Sequence, residues 1–192
     1  MGREFELKYR ATQAQQAALA EKFGTFREIT MESTYYDTAD ATLSHRHITL
    51  RCRKENGTAV CTAKTPLADG SRGEWEVLWD QPENMIEVLC KHGAPEELKK
   101  LTAGGIHPVC GARFTRRAKS VEVPGGLVEL ALDRGILMGG GKELPLCEVE
   151  VELKSGDDSA AILFAQALAA EFALVPEKRS KFCRAQALAE GK

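Results

Sequence analysis

From Glu4 to Tyr9 charged and apolar residues alternate strictly, with Glu4, Glu6 and Lys8 in one register and Phe5, Leu7 and Tyr9 in the other. A period of two is that of a β-strand, whose successive side chains point to opposite faces. The same grammar returns along the chain. Arg51 and Arg53 oppose Leu50 and Cys52, and Thr62 and Lys64 oppose Cys61 and Ala63. Glu74 and Glu76 oppose Trp75, Val77 and Trp79, and Glu129 and Asp133 oppose Val128, Leu130 and Leu132. Glu148, Glu150 and Glu152 oppose Val149, Val151 and Leu153.

This periodicity predicts strands over 45–54, 58–65, 73–79, 108–123, 127–138 and 144–153, with 25–37 also extended. Asn56-Gly57 marks a tight hairpin between the first two of these, and 68–73 reads as a polar loop. A helix over 13–22 is expected, capped by Thr12 and stopped at Gly24. Helical spacing behind Pro82 and Pro95 predicts a helical insert at about 82–103. Two further helices are expected within 157–189. The count is about eight strands and four or five helices, in a single domain over 1–192.

A two-faced antiparallel sheet usually has a dry side and a wet side. Here the charges are sorted by strand, acids on some and bases on others, and sorting on a solvated face costs repulsion. Helices are available to cover the Trp-bearing apolar faces. The charged faces then line a common interior, and about eight strands close round a space that holds side chains or one small ligand. The expected fold is therefore α+β: a closed eight-stranded antiparallel β-barrel, or tunnel, with a charged interior and helices packed outside. Unpaired buried charge is heavily penalised, so such an interior is hydrated and receives a charged ligand.

Composition narrows the ligand. The net charge of -2 gives no global basic field for nucleic acid, and the 43% hydrophobic content suffices for a core. Six scattered cysteines show neither CxxC nor zinc spacing and read as reduced core residues. His45 and His47 share a face of the strand expected there, near a turn. Acids begin at Glu4, where a secretory leader would be basic and then apolar, so no leader is expected. The apolar stretch 160–175 is interrupted by Gln166 and Glu171 and is too short to span a bilayer. A soluble, cytoplasmic monomer or homodimer with no nucleic-acid or membrane partner is the expectation.

Arg51, Arg53 and Lys64 make a strong anion site, because guanidinium forks match phosphate oxygens. Lys8, Arg116 and Lys181 extend it. Glu4, Glu6, Glu148 and Glu150 would repel a polyphosphate unless a hard divalent cation such as Mg²⁺ lay between. This is the inventory for phosphoryl transfer to water, which needs charge neutralisation and in-line positioning. No Walker loop, GxSxG or HExxH motif offers a rival chemistry.

In this arrangement the chain resembles the CYTH superfamily, the triphosphate tunnel metalloenzymes. Glu4-x-Glu6-x-Lys8 matches the ExExK signature, and Leu50-Arg51-x-Arg53, Thr62-x-Lys64, Glu74-x-Glu76 and Glu148-x-Glu150 follow in the family's order. The segments beginning at Val128 and Cys147, and Ser180-Lys181, look like those of bacterial inorganic triphosphatases. The resemblance implies a triphosphate or polyphosphate substrate with Mg²⁺ or Mn²⁺. It places Lys8, Arg51, Arg53, Lys64, Arg116 and Lys181 on the phosphates and Glu4, Glu6, Glu148 and Glu150 around the metal. Glu4, Glu6 and Lys8 form the catalytic element. Glu74, Glu76, Asp133 and Glu152 are further tunnel residues. The chain departs from the family at position 114, where a Lys is common and Phe stands. The histidine-rich helical domain that follows in related bacterial proteins is expected to be absent. Thiamine-triphosphatase or adenylate cyclase activity in the same tunnel is the alternative, with Tyr36 and Trp75 the nearest aromatics for an organic moiety. A non-catalytic polyphosphate-binding module is the alternative of another class.

Overall fold

The computed structural model describes residues 2–3, 5–67 and 72–191. Ten strands run in chain order: β1 (Gly2–Arg3), β2 (Glu6–Arg10), β3 (Arg27–Asp37), β4 (Thr49–Glu55), β5 (Thr58–Pro66), β6 (Arg72–Leu78), β7 (His107–Val123), β8 (Gly126–Gly139), β9 (Lys142–Gly156) and β10 (Val175–Pro176). They form one sheet in the order β1-β6-β5-β4-β3-β7-β8-β9-β2-β10, with every ladder antiparallel. The helices are α1 (Gln13–Phe23), α2 (Thr42–His45), α3 (Met85–Lys91), α4 (Glu97–Leu101), α5 (Asp158–Phe172) and α6 (Lys181–Ala189).

The architecture is α+β, as expected, but the sheet has ten strands rather than eight. Among the described residues no ladder joins its two ends, so its order is open where a closed barrel was expected. One end strand, β1, and the strand next to the other end, β2, are nevertheless close neighbours in the chain. Gly2–Arg3 pairs with β6, and Glu6–Arg10 pairs with β9. Arg3 to Glu6 can span roughly 11 Å at full extension. The sheet therefore curls until β6 and β9 approach each other across this segment.

Apolar faces turn outward to helices in two places. Leu130, Leu132, Val149, Val151 and Tyr9 bury against Leu19 of α1 and Ala161, Ala165 and Leu168 of α5. Leu50, Cys61, Ala63 and Trp75 bury against Leu43 of α2, Met85 and Leu89 of α3 and Leu98 of α4. Helix α1 is fixed by a full capping box, in which Thr12 accepts from the Gln15 backbone and the Gln15 side chain accepts from the Thr12 backbone. The β4–β5 turn places Asn56 at φ 48° and Gly57 at φ 88°, the left-handed pair a two-residue hairpin needs.

Helix α6 departs from the outside position expected of every helix. Its Ala185 packs with Ala112, Phe114, Leu137 and Leu146, on the same strand faces that carry Arg116, Asp133 and Glu150. The charged side of β7, β8 and β9 turns apolar at one end, and α6 seats there. Gly139 permits the approach: a Cβ at that position would stand 2.2 Å from the Ala185 carbonyl oxygen.

Local expectations were also revised. His45 ends α2 and His47 lies outside the strand at φ 56°, so they share no strand face. The helix expected from 177 starts only at Lys181, after the Ser180 cap. Most of the 68–73 loop lies outside the described residues. No helix among the described residues is long and apolar enough to cross a membrane.

Candidate active site

The charged strand faces border a cavity of about 640 Å³. One wall is basic. Arg51, Arg53, Lys64 and Arg72 come from β4, β5 and β6, because alternation delivers every second side chain of those strands to this side. Arg51 Nη2 donates to Thr62 Oγ1 at 3.1 Å, and Thr62 donates onward to Glu76 Oε1 at 2.9 Å. Arg53 pairs with Glu55, and its Nη2 lies 3.9 Å from Glu76. Lys64 Nζ lies 3.2 Å from Glu74. Among the described residues the buried Nε of Arg51 and of Arg53 finds no acceptor. Burial and the adjacent Arg51 charge pull the Arg53 guanidinium below its ordinary value. An anion in the cavity would add acceptor oxygens for these guanidinium heads.

Opposite runs a row of acids. Glu6, Glu152 and Glu129 are direct register partners across β2, β9 and β8, and all three face the cavity. Like charges placed so are destabilising. Lys154 relieves part of this, 2.8 Å from Glu152 and 3.8 Å from Glu129. Lys8 Nζ lies 2.7 Å from Glu6. Burial would lower the Lys8 ammonium, but Glu6 and Glu150 outweigh it and hold it above its ordinary value.

Below this row lies a buried ionic cluster. Asp133, Glu148 and Glu150 bring carboxylate oxygens within 4.8 Å of one another, a grouping that could hold a metal ion. The cation at its centre is the Lys181 ammonium, 2.8 Å from Asp133, 2.7 Å from Glu150 and also paired with Glu148. Arg116 grips Asp133 in bidentate fashion, at 2.8 and 2.7 Å, and reaches Glu150. Arg184 pairs with Glu148. Three acids thus meet three bases. Against burial, Lys181 and Arg116 hold Glu150 well below the usual carboxylate range. Glu148 goes the other way, pushed up by burial and by the Glu150 charge.

The sequence-predicted residues divide accordingly. Glu6, Lys8, Arg51, Arg53, Lys64, Glu74, Glu76, Arg116, Glu150, Glu152 and Lys181 border the cavity. Asp133 and Glu148 share their strand faces but are fully buried in the ionic cluster. Glu4 lies outside the described residues. Phe114, in place of a lysine, offers its ring to the cations: Lys181 Nζ stands 5.1 Å and Arg116 6.0 Å from its centroid. Tyr36 and Trp75 pack in the outer core, whereas Tyr35, Phe114 and Phe182 face the cavity. Arg184 was not singled out from sequence; its signal is helical spacing, three residues after Lys181.

The Glu6–Glu152–Glu129 row is a second set of carboxylates beside the buried cluster. The row offers oxygen donors, faces the cavity and carries repulsion that Lys8 and Lys154 offset in part. In the cluster a hard divalent cation would have to displace Lys181.

Residues 2–185 match the CYTH domain. The chain is 31% identical over 129 residues to the inorganic triphosphatase of Haemophilus influenzae, a match covering 65% of this chain. It takes in 36% of that protein, so the chain spans little more than a third of its curated relative. Among solved structures, the Hippeastrum protein HpAC1, reported with a dominant triphosphatase activity, superposes with a TM-score of 0.67. The identity there is 18%, over 98% of this chain and 96% of that one. Pyrococcus horikoshii PH1819 superposes with a TM-score of 0.65 at 23% identity, over 98% of this chain and 99% of that one. Likeness at these identities is one of fold.

Proposed function

The chain belongs to the CYTH family, and from that premise we propose that it hydrolyses inorganic triphosphate to pyrophosphate and phosphate with a divalent cation. The observation that carries this reading is the basic wall: two adjacent, largely buried guanidiniums with Lys64 beside them, lining the same cavity as a row of carboxylates. In this reading the curled sheet acts as a tunnel around the substrate. The inorganic triphosphatase of Haemophilus influenzae supports the choice of substrate.

Arg51, Arg53 and Lys64 bind and orient the phosphate chain through bidentate and point-charge contacts. Lys8, held charged by Glu6 and Glu150, offsets the negative charge of the phosphoryl group under attack. Arg116 and Lys181 fix Glu150 as a carboxylate at the cavity floor. Glu6 and Glu152, with Glu129, would hold Mg²⁺ or Mn²⁺. When bound, the ion neutralises charge on phosphate oxygens that the acids would otherwise repel. Water attacks the terminal phosphorus in line, and pyrophosphate leaves.

The test is a metal titration of triphosphate turnover in the wild type and in Glu6→Gln and Glu152→Gln. The variants should need more Mg²⁺ for half-maximal rate and turn over slowly at limiting metal. Wild-type metal response in both would remove the acid row from the metal site.

A further inference from the structure

Behind the basic wall, on the apolar side of the same two strands, Cys52 and Cys61 face each other. They are direct register partners across β4 and β5, and their Sγ atoms stand 3.1 Å apart with no bond between them. Directly opposed residues of an antiparallel pair have Cα atoms about 4.5–5.5 Å apart, inside the span a disulfide bridges. Closing the gap to about 2.05 Å asks only a small movement. We propose that Cys52 and Cys61 are an oxidation site, a dithiol that a hydroperoxide converts to a reversible cross-strand disulfide.

The two sulfurs are not equivalent. Cys61 is fully buried and its thiol donates to Cys52 Sγ, with the Trp79 carbonyl 3.3 Å away. Cys52 is half-buried and flanked in sequence by Arg51 and Arg53. The hydrogen bond from Cys61 brings the Cys52 thiol down to about 7; burial and Asp80 oppose this, and Lys54 and Arg51 assist it. Burial pushes Cys90 up and Cys110 up to about 12. Cys52 is therefore the attacking thiolate and Cys61 the resolving thiol.

Each step balances. The Cys52 thiolate attacks one peroxide oxygen, the O–O bond breaks, and Cys52 sulfenic acid forms as hydroxide leaves and takes up a proton as water. The Cys61 thiol gives up its proton and attacks the Cys52 sulfur. The S–S bond forms, the S–O bond breaks, and the departing hydroxide leaves with that proton as a second water. The sulfurs lose two electrons and the peroxide oxygens gain them. The bond ties β4 to β5 beneath Arg51, Arg53, Thr62 and Lys64. It does not depend on the triphosphatase reading.

The full chain treated with stoichiometric hydrogen peroxide is read by intact mass, thiol titration after unfolding and non-reducing peptide mapping. Two of the six thiols should be lost with a mass decrease of about 2 Da, reversed by dithiothreitol. The mapped link should join Cys52 to Cys61. Cys61→Ser should instead trap a sulfenic acid at Cys52, and Cys110→Ser should leave the link intact. Retention of all six thiols, a link between other cysteines, or direct over-oxidation of Cys52 in the wild type would overturn the proposal.

Discussion

Arg53 has its charged head sunk in the cavity wall and keeps an Nε without an acceptor among the described residues. A phosphate oxygen meeting the guanidinium from the cavity makes a charge-assisted bond, so Arg53→Ala should weaken triphosphate binding by about 1.5–3 kcal/mol. Calorimetric titration with triphosphate checks this; unchanged affinity in the folded variant would remove Arg53 from the phosphate contacts. Glu150 makes a prediction in pH. Its carboxyl is held below its ordinary value of 4.5, so its stabilising contribution is present above 4.5 and is lost as pH falls through and beyond it. The stability gap between the wild type and Glu150→Gln, measured by urea unfolding, should therefore shrink as pH drops below 4.5. A gap that stays constant to lower pH would contradict this coupling. At this scale strand parity made the faces legible, which is why Arg51, Arg53, Lys64 and Glu6 could be read from the sequence. Parity gives direction and not depth. Glu148 and Glu150 share a face, yet Glu148 is withdrawn by Lys181 and Arg184, which arrive from a helix more than thirty residues later.

At the scale of elements the informative case is α6. Its sequence reads as an amphipathic helix, and nothing local says which side of the sheet it takes. The decision is made by small and apolar residues on the inner face of β7, β8 and β9, Ala112, Leu137 and Leu146, and by the bare backbone of Gly139. Gly139→Ala would set a methyl 2.2 Å from the Ala185 carbonyl and 2.8 Å from the Ala189 nitrogen. It should cost about 1–3 kcal/mol of stability by overpacking. Turnover should fall with it, because α6 carries Lys181 and Arg184. Wild-type unfolding and turnover would show that α6 does not seat against Gly139. Ser180 caps the same helix by accepting from the Cys183 backbone at 3.1 Å, so Ser180→Ala should cost about 1 kcal/mol in urea unfolding. The elements least legible in sequence were short. α2 is held by bonds from its backbone to the Asp37 and Thr38 side chains, and the two-residue β10 is set by its pairing with β2. By contrast Thr12, Asn56 and Gly57 announced their cap and turn locally.

For the whole molecule, the sheet's wrap follows from one short stretch. Gly2–Arg3 pairs with β6 and Glu6–Arg10 with β9, drawing together strands that are far apart in the sheet order. That curl sets the Arg51–Arg53–Lys64 wall opposite the Glu6–Glu152–Glu129 row with about 640 Å³ between them. The sequence made an inward charged face legible through the sorting of signs by strand. It did not fix the strand number or the inward helix, which depend on pairings between distant segments. The juxtaposition of a basic wall and an acidic row has one direct test, phosphate release from inorganic triphosphate, thiamine triphosphate and ATP, each with Mg²⁺, Mn²⁺ or EDTA. Rapid release from inorganic triphosphate that EDTA abolishes and added Mg²⁺ or Mn²⁺ restores is the expected result. Tight binding of triphosphate in EDTA with no release under any metal would contradict the account and make the cavity a binding site alone.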